Sequence, residues 1–114
     1  MKRIDMEKLK ENSCGDNEML VELVTMGINR IDKSSVEIKE ALKAEEWDDL
    51  SRIIHKLRPI LFYAGLICLN EELQQIEKNS KERISLSEIP NQIDNVFIVL
   101  QEAKFEMNEI ISNL

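Results

Sequence analysis

One histidine, His55, is the only imidazole in the chain, and cations crowd it: Arg52, Lys56 and Arg58 lie within three positions. An imidazole with its ordinary pKa near 6.5 offers a lone pair close to neutral pH. On a helix, side chains three and four positions apart stand beside one another. Arg52 and Arg58 would therefore flank the ring from the turns before and after it. A guanidinium grips phosphoryl oxygens bidentately, whereas a lysine holds them as a point charge. A nitrogen nucleophile between such groups suits phosphoryl transfer, in which positioning and charge neutralisation carry most of the catalysis. Lys56 turns to the side and is the third phosphate-stabilising candidate. Ser51, Pro59 and Phe62 fall on the same side of the wheel and are predicted to form a docking surface for a partner.

A rigid support has to hold that arrangement. Residues 50–65 read as one helix. Leu50, Ile53, Ile54, Leu57, Leu61 and Ala64 recur at three- and four-residue steps and make one apolar face. At about 100° per residue, His55 lies roughly 150° from the centre of that face. It is predicted to project into water from a helix buried on its other side. Gly65 ends the helix, as a glycine just past a helix C-terminus commonly does.

His55-Lys56-Leu57-Arg58, followed by Gly65, resembles the histidine-containing phosphotransfer (HPt) domain of bacterial phosphorelays. The family pattern is His-x-Leu-Lys-Gly, with a later Leu-Gly or Ala-Gly ending the helix. Gly15-Asp16-Asn17-Glu18-Met19-Leu20 and Ala44-Glu45-Glu46-Trp47 resemble the family's starts for the two preceding helices. The likeness covers roughly residues 14 to 80. It implies that His55 is the phosphoacceptor and that receiver-domain aspartates are its partners. The receiver brings the Mg²⁺, so the chain itself requires no cofactor. Arg58 stands where the family has lysine, Pro59 where it has glycine, and Glu45 where a turn glycine is usual. Pro59 keeps the space beside His55 free of a long side chain but removes the amide that would bond the His55 carbonyl. Gln74 and Gln75 are the candidates for holding the imidazole nitrogen that does not react.

The rest of the sequence supplies a bundle. Residues 4–11 could form two turns, and Asp16 is predicted to cap a helix running from Asn17 to about Ala44. Gly27 sits inside it, where close approach of a neighbour would offset its poor helix propensity. Leu66, Leu69, Leu73 and Ile76 begin a fourth helix, antiparallel to the third because the link is short. Residues 79–86 show no period and read as a loop. Ser87 is predicted to cap a last helix with Pro90 in its first turn and a stripe from Ile89 to Ile110. The expected fold is all-α: an antiparallel four-helix bundle, with a short N-terminal helix laid across one end, filling residues 1–114 as a single domain.

Composition excludes several other functions. With 15 Lys and Arg against 22 Asp and Glu, the net charge of −7 opposes binding to nucleic acid or anionic lipid. No apolar run approaches the ~20 residues of a membrane span and no signal-peptide pattern opens the chain, so a cytoplasmic location is expected. Cys14 and Cys68 read as a surface thiol and a small core residue, and with one histidine they make no metal-ligand spacing. No glycine-rich phosphate loop and no nucleophile–base pair is present, so an enzyme with its own ATPase or kinase chemistry is not expected. Two readings are left. In the first, His55 takes a phosphoryl group from a receiver aspartate and passes it to a response-regulator aspartate, with a hybrid sensor histidine kinase as a candidate further partner. In the second, the chain is a degenerate HPt adaptor that binds a receiver without transfer. A monomer is expected, because the His55 face must stay open.

Overall fold

The structure is a computed structural model that describes residues 2–114. Two aspartates open its first two helices. Asp5 accepts from the amide of Lys8 to cap α1 (Met6–Asn12), and Asp16 accepts from Glu18 to cap α2 (Asn17–Lys43). Each carboxylate satisfies a helix-end amide that would otherwise lack a partner. α3 (Trp47–Tyr63), α4 (Asn70–Glu82) and α5 (Ile89–Ser112) complete the chain, with a single 3₁₀ turn at Leu86–Glu88. No strand occurs among the described residues.

The four long helices form the bundle. α2 packs on α3 and α5, and α4 packs on α3 and α5, so within the bundle α3 borders two long helices and leaves one face to solvent, with α1 touching only its C-terminal end. Leu50, Ile54, Leu57 and Leu61 of α3 are buried against Ile31 and Ile38 of α2, Leu73 and Ile76 of α4, and Ile93 and Leu100 of α5 in one aliphatic cluster. Burying each such side chain contributes about 1.5–3 kcal/mol relative to leaving it in water. This dry face fixes the roll of α3, and so decides which residues the helix shows outside.

Both ends of α3 are set by left-handed residues. Glu45, with φ of +53°, makes the tight turn from α2. A side chain thus adopts the conformation a glycine would adopt without strain, at a cost of about 1 kcal/mol. At the far end Gly65 has φ of +88°. The amide of Leu66 reaches back to the Leu61 carbonyl at 2.9 Å, and that of Gly65 to Phe62 at 3.0 Å, closing the last turn. A Cβ on Gly65 would stand 3.0 Å from the Asp5 carbonyl oxygen. That space is taken by the N-terminal segment, whose Asp5 amide donates to the Gly65 carbonyl. Glu106 on α5 accepts from the amides of Arg3 and Ile4, which straps this segment across the bundle's end. Gly27 admits the same end of α3: a Cβ there would lie 3.0 Å from Ala64 Cβ and 3.2 Å from Met107.

Four local expectations are corrected. α4 begins at Asn70; Leu66 and Leu69 are buried in the connection before it. The same helix runs on to Glu82 through residues that read as loop, because its polar groups find partners. Ser80 Oγ donates to the Ile76 carbonyl at 2.7 Å, and Gln75 donates to Asn79. Ser87 lies in the 3₁₀ turn, and Glu88 occupies the position before α5, with Pro90 in the first turn as expected. Cys68 is exposed in the connection rather than packed in the core.

Candidate functional site

His55 stands in the middle of α3 with its side chain 73% exposed. Its ring is nevertheless held. Nδ1 lies 3.0 Å from Glu77 Oε2 on α4. The other carboxylate oxygen of Glu77 accepts from Arg58 Nη1 at 2.9 Å. Arg58 Nε also donates to Asn70 Oδ1 at 3.3 Å, at the first residue of α4. A chain of polar contacts thus runs from imidazole through carboxylate to guanidinium and amide, along the seam between α3 and α4. Glu77 and Arg58 are mostly covered, at 20% and 22% exposure, so their attraction is less screened than that of a surface pair. With Nδ1 donating its proton to the carboxylate, Nε2 carries the lone pair. No described residue bonds Nε2.

Two hollows flank the ring. One, of about 280 Å³, is lined by His55, Arg58, Pro59, Phe62, Tyr63 and Asn70. The other, of about 330 Å³, is lined by Asp48, Ser51, Arg52, His55, Glu77 and Lys81. Each places a cation beside the histidine, and the first adds aromatic surface. Phe62 and Tyr63 meet edge to face, with ring centroids 5.9 Å apart, and both are exposed. Lys8 of α1 sits over the Phe62 ring at 5.3 Å, and Asn12 donates to the carbonyls of Phe62 and Tyr63. The short first helix therefore buttresses the aromatic end of the site.

The remaining candidates scatter. Arg52 pairs with Asp49, one turn back toward the start of α3, and borders the second hollow from there. Asp49 is held below the ordinary aspartate range, first by a hydrogen bond from Glu46 and then by Arg52, while the same contact raises Glu46. Lys56 faces away, into a groove of about 490 Å³ between α2 and α3 that also holds Arg30 and Lys33. Ser51 is not on the outer surface. It is buried against α4, and its hydroxyl donates to the Glu77 carbonyl at 3.1 Å, so it is not available to a partner. The wheel placed it on the wet side, but α4 covers that flank. α3 runs through Pro59 without a break.

Gln75 does not hold the imidazole. It faces outward on α4 and bonds Asn79, four positions on, and Gln74 is exposed. Glu77 takes the role instead, because its position on α4 borders the α3 seam while Gln74 and Gln75 do not. Sequence reasoning missed Glu77, Asn70, Lys81 and Tyr63. One signal could have found the first. Two antiparallel helices joined by a short link pair residues placed symmetrically about that link, and His55 and Glu77 are equidistant from Leu66.

Among solved structures, the chain is similar to the HPT domain of a hybrid sensor histidine kinase from Shewanella, with a TM-score of 0.87. The chain has the HPt fold. Identity to that domain is 17%, over 98% of this chain and 96% of the other. No family model matches the sequence, and no curated protein matches it. The likeness spans all five helices, and no kinase domain accompanies the fold in the 114 residues. No described helix is long and apolar enough to cross a membrane.

Proposed function

We propose that the protein is a phosphorelay intermediate that carries a phosphoryl group on His55. The observation that carries this reading is a sole histidine, exposed at mid-helix in an HPt fold, with one ring nitrogen held by Glu77 and the other free. Nε2 attacks the phosphorus of a receiver phosphoaspartate in line. The Nε2–P bond forms as the acyl P–O bond breaks, and the aspartate leaves as a carboxylate. Onward transfer to a second receiver reverses these roles. Glu77 orients the ring and fixes which nitrogen reacts. Arg58 and Arg52 neutralise the charge on the phosphoryl oxygens, Arg58 being anchored at the seam, while Lys56, turned into the groove, adds only a more distant positive charge. Pro59 and Phe62, joined by Tyr63, give the receiver an apolar surface to cover. The Mg²⁺ and the acidic cluster come with the receiver, and a hybrid sensor kinase is a candidate source of the phosphoryl group.

The test is transfer from a phosphorylated receiver. Wild-type protein should gain an acid-labile, base-stable label, and His55→Gln should gain none. A non-catalytic adaptor would instead bind the receiver equally well after His55→Ala and lose it on Phe62→Ala. Label that persists in His55→Gln defeats the carrier reading.

A further inference from the structure

Glu77 grips both the imidazole and Arg58, and its charge bears on what happens after the phosphoryl group arrives. Resting on the carrier reading, we infer that Glu77 sets the lifetime of phosphorylated His55. Its carboxylate keeps the Nδ1 proton on the phosphorylated ring, and so keeps the N–P bond ready to break.

The chemistry turns on the leaving group. Once Nε2 has bonded phosphorus its lone pair is used, and with Nδ1 still protonated the ring is a phospho-imidazolium cation. When the N–P bond breaks, the electron pair returns to Nε2. The leaving group is then neutral imidazole. If the Nδ1 proton has already gone, the leaving group is an imidazolate anion, which departs far less readily. Whatever holds that proton therefore governs both loss to water and delivery to the next aspartate.

The group facing Nδ1 is Glu77 Oε2, at 3.0 Å. A hydrogen bond to an ionised acceptor is about twice as strong as one to a neutral amide. The charged groups lining the two hollows are Asp48, Arg52 and Arg58 from α3 and Glu77 and Lys81 from α4. Among them Glu77 alone contacts the ring, and α1, α2 and α5 contribute nothing to either hollow. Arg58 holds the second oxygen of Glu77, which fixes the carboxylate toward the ring. A glutamine at this position would keep the shape and the acceptor but not the charge.

The experiment uses the full chain labelled with phosphoramidate, a small-molecule donor, and then freed of it. Decay of phosphohistidine is followed by ³¹P NMR from mildly acidic to alkaline pH, in wild type and Glu77→Gln. At neutral pH the variant should keep its phosphoryl group about tenfold longer, with the onset of slow decay moved about one pH unit lower. In wild-type phosphoprotein, ¹⁵N NMR should show Nδ1 still protonated at neutral pH, a reading that needs no variant to fold. The inference is overturned if Glu77→Gln decays at the wild-type rate. It is equally overturned if the gain is the same at every pH, which would mean that freed Arg58, not the retained proton, is responsible. Failure of wild type to take any label on His55 would sink the carrier reading itself, whereas labelling with unchanged lifetimes sinks this inference alone.

Discussion

Toward α4, His55 borders a seam in which Glu77, Arg58, Asn70 and Ser51 are joined by hydrogen bonds across two helices. Toward α2, the same helix borders an open groove where Lys56, Arg30 and Lys33 line the walls and Arg52 leans back to Asp49. Both flanks carry cations within a turn or two of the imidazole. On one side Arg58 is fixed by Glu77 and Asn70 of α4; on the other, the anchor among the described residues is local, from Arg52 to Asp49 at one exposed turn. An anchored cation loses less rotamer freedom when a phosphoryl group arrives than a mobile one does. The seam thus holds Arg58 in place beside the histidine, whereas no cross-helix contact of a described residue fixes Lys56 in the groove.

The dry side of α3 differs from both flanks, and the largest effects are expected there. Leu57→Ala, two positions from His55 but fully buried, should cost about 2–5 kcal/mol in denaturant unfolding, from lost apolar burial and the cavity left behind. Gly65→Ala should cost about 1–3 kcal/mol, since it combines a left-handed backbone with a carbonyl oxygen 3.0 Å from the new Cβ. Lysine substitutions at the outer positions should leave these unfolding curves nearly unchanged. If Leu57→Ala instead unfolds like wild type, the roll of α3 is set by something other than its aliphatic face.

Smaller effects separate the two flanks. Arg58→Ala removes an anchored cation and frees Glu77, and should slow phosphoryl uptake by roughly tenfold, on the scale of one charged hydrogen bond. Lys56→Ala should slow it by less than about twofold, as expected of a mobile surface charge. Equal effects of the two substitutions would erase the distinction between seam and groove. Glu45→Gly should stabilise the fold by up to about 1 kcal/mol by relieving the left-handed glutamate.

The smallest effect is on pH dependence. Asp49 titrates below its ordinary range, first through the hydrogen bond from Glu46 and then through Arg52. The bond from Glu46 requires that group protonated, so at neutral pH the part owed to Arg52 is present, and it is lost as pH falls through the depressed value. Glu46 titrates above its range, so its contribution is lost in the opposite direction, as pH rises through the raised value. Asp49→Asn should therefore flatten the acid limb of the stability curve slightly. An unchanged acid limb would show that the exposed pair contributes nothing in solution.

How much of this the sequence disclosed follows from which interactions are local. The apolar stripes of α2, α3 and α5, the Asp16 cap and the stop at Gly65 depend on neighbours along one helix, and each was legible; the Asp5 cap of α1 was not read. The outward placement of His55 followed from the same periodicity. Ser51 and Gln75 show where that reasoning stops. A helical wheel separates dry from wet, but it does not say which part of the wet side a second helix will cover. Ser51 went under α4, and the imidazole met Glu77 rather than a glutamine. Asn79 and Ser80 likewise looked like loop because they are polar, and became helix because their side chains bond within it. The HPt resemblance supplied the fold and the candidate role of His55, yet not the carboxylate on α4 that this chain sets against the ring.

Because the chain has a single histidine, one spectrum addresses the main claim. The protein is made with ¹⁵N-labelled histidine, treated with phosphoramidate, and examined for coupling between phosphorus and nitrogen. One phosphohistidine signal is expected, coupled to Nε2, with Nδ1 still bearing its proton toward Glu77. A phosphorus coupled to Nδ1, or no phosphohistidine at all in the folded protein, would contradict that claim.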